Sequence, residues 1–212
     1  MNRPPQPSAE YLTLADGRRL CFQQVGDPRG RPILYCHGFP GCRLESGLLA
    51  YAASAAGARL IAADRPGMGG SSPQPGRRIG DWPRDLAALA DHLDLGRFHL
   101  LGLSGGAPFA MACAAALPER ILGLGLVCGL GSLEDSEAEE GMGWMQRHSI
   151  DFARAWPALA QPIYTGVLAP TMAWYPDLVL SLLVPHSARI DREVLARPEV
   201  RNLLRANIRE TF

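Results

Sequence analysis

Four short apolar runs, each of strand length and each broken off by small or polar residues, constrain this chain more than any other feature. Residues 32–36 (PILYC) run into HGFPG, residues 58–64 (ARLIAAD) into RPGMGGSS, and residues 98–103 (FHLLGL) into SGGAP. The fourth, 121–130 (ILGLGLVCGL), runs into GSLEDSEAEE. Helix-length segments separate them. Residues 43–57 are rich in Ala and Leu and closed by Gly57. Residues 81–95 have Asp81 as N-cap, Leu86, Leu89 and Leu93 on one face, and Gly96 as terminator. A third helix spans about 107–116. Strands apolar on both faces, alternating with helices, predict an α/β fold with a mostly parallel sheet and helices on both faces. Residues 11–28 read as two strands joined at Asp16-Gly17, which gives the sheet an antiparallel N-terminal edge.

The texture changes after Gly131. An acidic stretch leads into amphipathic segments punctuated by Pro157, Pro162, Pro170, Pro176, Pro185 and Pro198. Only 178–184 (LVLSLLV) resembles another buried strand, and it fits a helix equally well. The expected organisation is a core over 1–131 and a helical layer over 132–212.

Lys plus Arg and Asp plus Glu both number 21, so the net charge is zero and neither a nucleic-acid footprint nor an electrostatic membrane anchor is expected. The polar, proline-rich start (MNRPPQPSAEY) has no apolar signal-peptide region, and no run is long enough for a membrane helix. Five cysteines (21, 36, 42, 113 and 128) form no CxxC pair and read as buried, reduced residues of a cytoplasmic protein. Cys36 and Cys42 flank the HGFPG turn, where thiol sensitivity is the alternative. His and Cys residues lack metal-ligand spacing, and the glycine-rich loops lack a phosphate-binding lysine, so no metal or cofactor is expected.

In an open parallel sheet, ligands bind where loops leave the carboxyl ends of the strands. Ser104 lies between Gly102-Leu103 and Gly105-Gly106, on a tight strand-to-helix turn that presents its hydroxyl at a helix N-terminus. That placement suits a nucleophile passing through an oxyanion. Acyl transfer needs two backbone donors aimed at the oxyanion; the N–H groups of Gly105 and Phe39 are the candidates. His37 is read as orienting the loop with Gly38 rather than as a base. Asp64 reads as a catalytic carboxylate or as a loop brace, capping or pairing with Arg65; the brace is preferred. His92 and His99 are taken as structural.

HGFPG, DRPGMGGS and GLSGG, in this order and spacing, resemble the α/β-hydrolase superfamily, and within it the small serine hydrolases with an HGxPG oxyanion loop. The resemblance covers about 10–131. It implies Ser104 as nucleophile, Phe39 and Gly105 as oxyanion donors, and a cap after residue 131. It also implies an acid and a histidine on loops after later strands, which this sequence lacks. Glu134 and Asp135 are the nearest acids but read as a solvated linker, and His148 and His186 both fall in the cap. The chain therefore reads as an incomplete hydrolase that lacks the final strands.

The expected function is hydrolysis of a small, moderately apolar ester or related acyl or C–C bond through a Ser104 acyl-enzyme. The alternative is a non-catalytic small-molecule binding or receptor module on the same fold. A third reading is cofactor-free oxidative chemistry at the same site. A serine at this turn argues against dehalogenase or epoxide-hydrolase chemistry, and HGFPG in place of HGGPG argues against an aminopeptidase. Trp144, Trp156, Trp174 and Tyr175 hint at an apolar substrate, or else form the core of the cap.

Overall fold

The computed structural model describes residues 8–131, 144–184 and 187–212. Strands β1 (Glu10–Thr13), β2 (Arg19–Gly26), β3 (Arg31–Cys36), β4 (Ala58–Ala63), β5 (Phe98–Leu103) and β6 (Ile121–Val127) form one sheet in the order β1-β2-β4-β3-β5-β6. β1 and β2 pair antiparallel, and β2 pairs antiparallel with β4. β4, β3, β5 and β6 are parallel to one another. The antiparallel edge is the expected one. It arises because β1 and β2 are joined by a tight turn, whereas the parallel strands need helical crossovers.

Helices cover both faces. On one face, α2 (Trp82–His92) and α3 (Ala107–Ala116) bury Trp82, Leu86, Leu89, Ala110 and Cys113 against Leu34, Ile61, Phe98 and Leu100. On the other, α1 (Ala50–Ala55) packs Ala53 against Tyr35, Leu60 and Ala62. The guanidinium of Arg18, in the β1–β2 connection, grips the Asp85 carboxylate of α2 with two bonds of 2.7 and 2.6 Å.

Local structure departs from the sequence reading in three places. The segment expected as one helix over 43–57 begins as a 3₁₀ turn, Arg43–Leu49. The Arg43 carbonyl accepts from the Gln23 side-chain amide and the Ser46 hydroxyl, which diverts it from regular helical pairing. Asp81 sits at the N-cap position of α2, but its carboxylate accepts from the Arg78 amide at 2.7 Å instead of capping the helix. That helix also ends before Gly96, with Asp94 taking φ 55°.

After β6 every described element is helical: α4 (Trp144–Ala155), α5 (Pro157–Ile163), a π turn over Tyr164–Leu168, α6 (Ala169–Trp174), α7 (Pro176–Leu183), α8 (Arg189–Leu195) and α9 (Pro198–Thr211). The run 178–184, left open between strand and helix, belongs almost wholly to α7. Val179, Leu180 and Ile208 join α7 to α9 in a small core of their own. No described helix is long and apolar enough to cross a membrane.

β3, at the centre of the sheet, carries the packing. Leu34 is fully buried between its neighbours, so Leu34→Ala is expected to cost about 2–5 kcal/mol in urea unfolding. A loss below about 0.5 kcal/mol would contradict this packing.

Candidate active site

Three loops leave the carboxyl ends of β3, β4 and β5. β5 ends at Leu103, and Ser104 then takes φ 49° at the head of a 3₁₀ turn, Ser104–Gly106, that feeds α3. A non-glycine residue there is in the left-handed region, a conformation held only when its surroundings impose it. Gly106 shows what imposes it. A Cβ at that position would come within 2.1 Å of the Cys36 carbonyl oxygen and 2.6 Å of that of His37. The turn is pressed directly onto the end of β3, where only glycine fits. Ser104 itself is half-buried, and no hydrogen bond engages its hydroxyl among the described residues.

The structure brings Phe39 and Gly105 together. A Cβ on Gly105 would lie 3.1 Å from the Phe39 Cβ and 3.5 Å from the Phe39 nitrogen. The HGFPG loop and the serine turn are thus in van der Waals contact at the two residues singled out as donors.

The loop after β3 is held from behind. His37 is fully buried. Its Nε2 accepts the Arg65 amide at 3.3 Å, so the ring proton lies on Nδ1, which donates to the Gly38 carbonyl at 3.0 Å. The Arg65 guanidinium donates to the carbonyls of His37 and Gly38 and lies 4.7 Å over the Phe109 ring. Burial, then the Arg65 charge, push the His37 pKa well below its ordinary 6.5. Both ring nitrogens of His37 are thus engaged by the Gly38 carbonyl and the Arg65 amide. On the solvent side the Gly38 amide donates to Glu45 at 2.6 Å, and the Tyr35 hydroxyl donates to the same carboxylate oxygen at 2.7 Å. Burial pushes the Glu45 pKa up, opposed by these two donors.

Asp64 is a brace, but its partner is Arg43 and not the expected Arg65. It accepts the Arg43 amide at 2.6 Å, the Arg43 guanidinium at 2.7 Å and the Gly70 amide at 2.9 Å. Arg65 points the other way because the two bare carbonyls of the HGFPG loop draw its guanidinium. The glycines after Arg65 wrap closely around Asp64: a Cβ on Gly69 would sit 2.2 Å from its carboxylate oxygen. Burial pushes the Asp64 pKa up, opposed chiefly by its bonds to Arg43.

α9 closes this network from far along the chain. Asn207 Oδ1 accepts the Cys42 amide at 3.0 Å, Glu210 meets Arg43 at 2.7 Å, and the Gly69 amide donates to Thr211 O at 3.2 Å. The rings of Phe212 and Phe39 meet edge-on at 6.3 Å. Arg43, Glu45 and Asn207 escaped the sequence reading, because nothing in their local sequence signals their partners, which lie up to 167 residues away.

The remaining candidates lie apart or outside. Glu134, Asp135 and His186 fall outside the described residues. His148 lies on the exposed surface of α4, and His99 lies within β5. His92 lies on α2, its ring edge-on to Phe22. Cys36 and Cys42 are buried, their pKa values pushed up by burial to about 11 and about 12, so they are poor thiolates. Cys128, expected buried, is exposed, because it sits with φ 41° in the turn beyond β6. Among the described residues no group of three or more His, Cys, Asp or Glu side chains is placed to hold a metal.

Residues 31–159 match the alpha/beta hydrolase fold family, and the chain belongs to it. Among individual proteins, it is 35% identical over 116 residues to the dihydrolipoyllysine-residue acetyltransferase component of the acetoin cleaving system of Pseudomonas putida, covering 54% of this chain and 31% of that one. It is 34% identical over 124 residues to a putative proline iminopeptidase of Mycoplasma pneumoniae, covering 57% and 40%. The chain thus spans less than half the length of these relatives. In structure it resembles a thermophilic esterase from Thermogutta terrifontis, with TM-score 0.60, 25% identity, and coverage of 95% of this chain and 66% of that one.

Protonating His37 would set a second cation against Arg65 in a dry site. Its folded pKa is depressed, so its contribution to stability is complete above pH 6.5 and is lost as pH falls toward the folded value. Below pH 6.5 this group alone is expected to remove up to about 1.4 kcal/mol per pH unit. The measurement is urea unfolding from pH 7 to pH 5, in which His37→Gln should show a shallower slope than wild type. Equal slopes would contradict the assignment.

Proposed function

We propose that the protein is a serine hydrolase that cleaves a small, moderately apolar ester or related acyl bond. Ser104 attacks the acyl carbon, the leaving alcohol departs with a proton, and water releases the acid from the acyl-enzyme. The backbone amides of Phe39 and Gly105 receive the charge on the carbonyl oxygen as the tetrahedral intermediate forms. Residues from 132 onward act as a cap over this site, and those before it form the core.

The observation that supports this reading is the strained placement of Ser104, with φ 49°, on a turn whose Gly105 lies against Phe39 of the HGFPG loop. A chain holds a serine in the left-handed region only under constraint, and here that serine follows directly on the carboxyl end of β5, at the edge the three loops leave from. Asp64, Arg65, His37 and Gly38 position that edge and take no part in proton transfer. Kinship with a putative proline iminopeptidase keeps amide bonds within the class of substrates.

The alternative is a binding module that holds a ligand at the same edge without turnover; the absence of a hydrogen-bonded base at Ser104 among the described residues favours it. One experiment separates the two. In the protein as the cell makes it, a fluorophosphonate should add once by intact mass. Ser104→Ala should abolish the adduct and lower acetyl-ester hydrolysis by about 10³-fold or more. Labelling or hydrolysis that survives Ser104→Ala would overturn the serine mechanism. Binding of an ester without adduct or turnover would favour the module.

A further inference from the structure

α9 carries Arg201, Arg205 and Arg209 at four-residue intervals, on one stripe of the helix. The first two share an acid. Arg205 contacts the Asp177 carboxylate at 2.9 and 3.1 Å, and Arg201 lies 3.5 Å from it. Arg209, one turn further on, has no acidic partner among the described residues, and neighbouring Glu210 is committed to Arg43. It lines an open groove of about 590 Å³ together with Ala173, Trp174, Tyr175 and Phe212.

That lining is unusual for a surface. Trp174 and Tyr175 are 75% and 62% exposed, adjacent to each other at the end of α6. Two exposed rings and a third from Phe212, beside a cation with no acidic side-chain partner among the described residues, form a surface that is apolar along its length and positive at one point. Such a patch is matched by a ligand of the opposite layout. The groove also connects to the proposed catalytic edge. The Phe212 ring packs edge-on to Phe39 at 6.3 Å, and Phe39 adjoins Gly105, the residue after Ser104.

We propose that this groove is a binding subsite for an aromatic carboxylate. The rings of Trp174, Tyr175 and Phe212 receive its apolar body, and the Arg209 guanidinium receives its carboxylate by charge-assisted hydrogen bonds. In the hydrolytic reading of Ser104, on which only this further step rests, the subsite selects substrates that carry a carboxylate remote from the scissile bond. Binding itself requires neither Ser104 nor turnover.

The test is calorimetric titration with naphthoate and with neutral naphthamide, on wild type and on Ser104→Ala, Arg209→Gln and Trp174→Ala. Arg209 and Trp174 are exposed, so their variants are expected to keep the fold, checked by circular dichroism. Naphthoate should bind wild type and Ser104→Ala equally, and about tenfold or more tightly than naphthamide. Arg209→Gln should erase that preference while leaving naphthamide affinity unchanged, and Trp174→Ala should weaken both. Equal binding of the two ligands to wild type, or a preference that survives Arg209→Gln, would overturn the role of Arg209. Absence of binding by either ligand would overturn the subsite. Because Ser104→Ala is titrated in parallel, these failures are distinct from a failure of the serine mechanism, which is read by adduct formation.

Discussion

The guanidinium of Arg65 is the interaction on which the rest of the site depends. It is almost wholly buried and bonds to carbonyls in place of a carboxylate, donating to His37 and Gly38 while its plane rests over Phe109. One side chain thereby touches all three loop systems: its own, after β4; the HGFPG loop, after β3; and helix α3, which follows the serine turn. Burial pulls its pKa down to about 10, which still leaves it charged at neutral pH. Burial and, after it, the Arg65 charge keep His37 neutral, and a neutral His37 can accept the Arg65 amide on Nε2. The two residues hold each other in place, with the Gly38 carbonyl accepting from both.

Around that pair the sequence works as a set of fitted spaces. Gly106 lets the serine turn touch the end of β3, and Gly69 lets the loop after β4 close on Asp64. Asp64, buried, and Glu45, half-buried, each collect backbone amides, one from Arg43 and Gly70 and the other from Gly38. A buried carboxylate is costly unless such donors replace its water, and here the donors are the loops that need holding. α9 then ties these loops to the helical part of the chain through Asn207, Glu210 and Thr211.

What was legible in the sequence is what short-range chemistry decides. The apolar runs gave β3 to β6 and their parallel arrangement, and the small residues around Ser104 marked the turn. The Asp16-Gly17 turn gave the antiparallel edge. Geometry set by distant partners was not legible. The 3₁₀ start of 43–49 follows from Gln23 reaching the Arg43 carbonyl. Asp64 pairs with Arg43 because Arg65, its neighbour in sequence, is drawn to the HGFPG carbonyls. Asn207 reaches Cys42 only because α9 folds back over the core. Trp174 and Tyr175, whose role the sequence left open between cap core and ligand contact, stand largely in solvent.

The central claim is that Arg65 holds the HGFPG loop in place. It is tested most directly by amide hydrogen exchange in wild type and Arg65→Lys, followed across residues 37–41 and across strands β3 and β5. A lysine keeps the charge but cannot reach two carbonyls with a planar fork. The account predicts faster exchange confined to the Gly38, Phe39 and Gly105 amides, with the strands unchanged. Unaltered protection at those amides in a folded Arg65→Lys protein would contradict it.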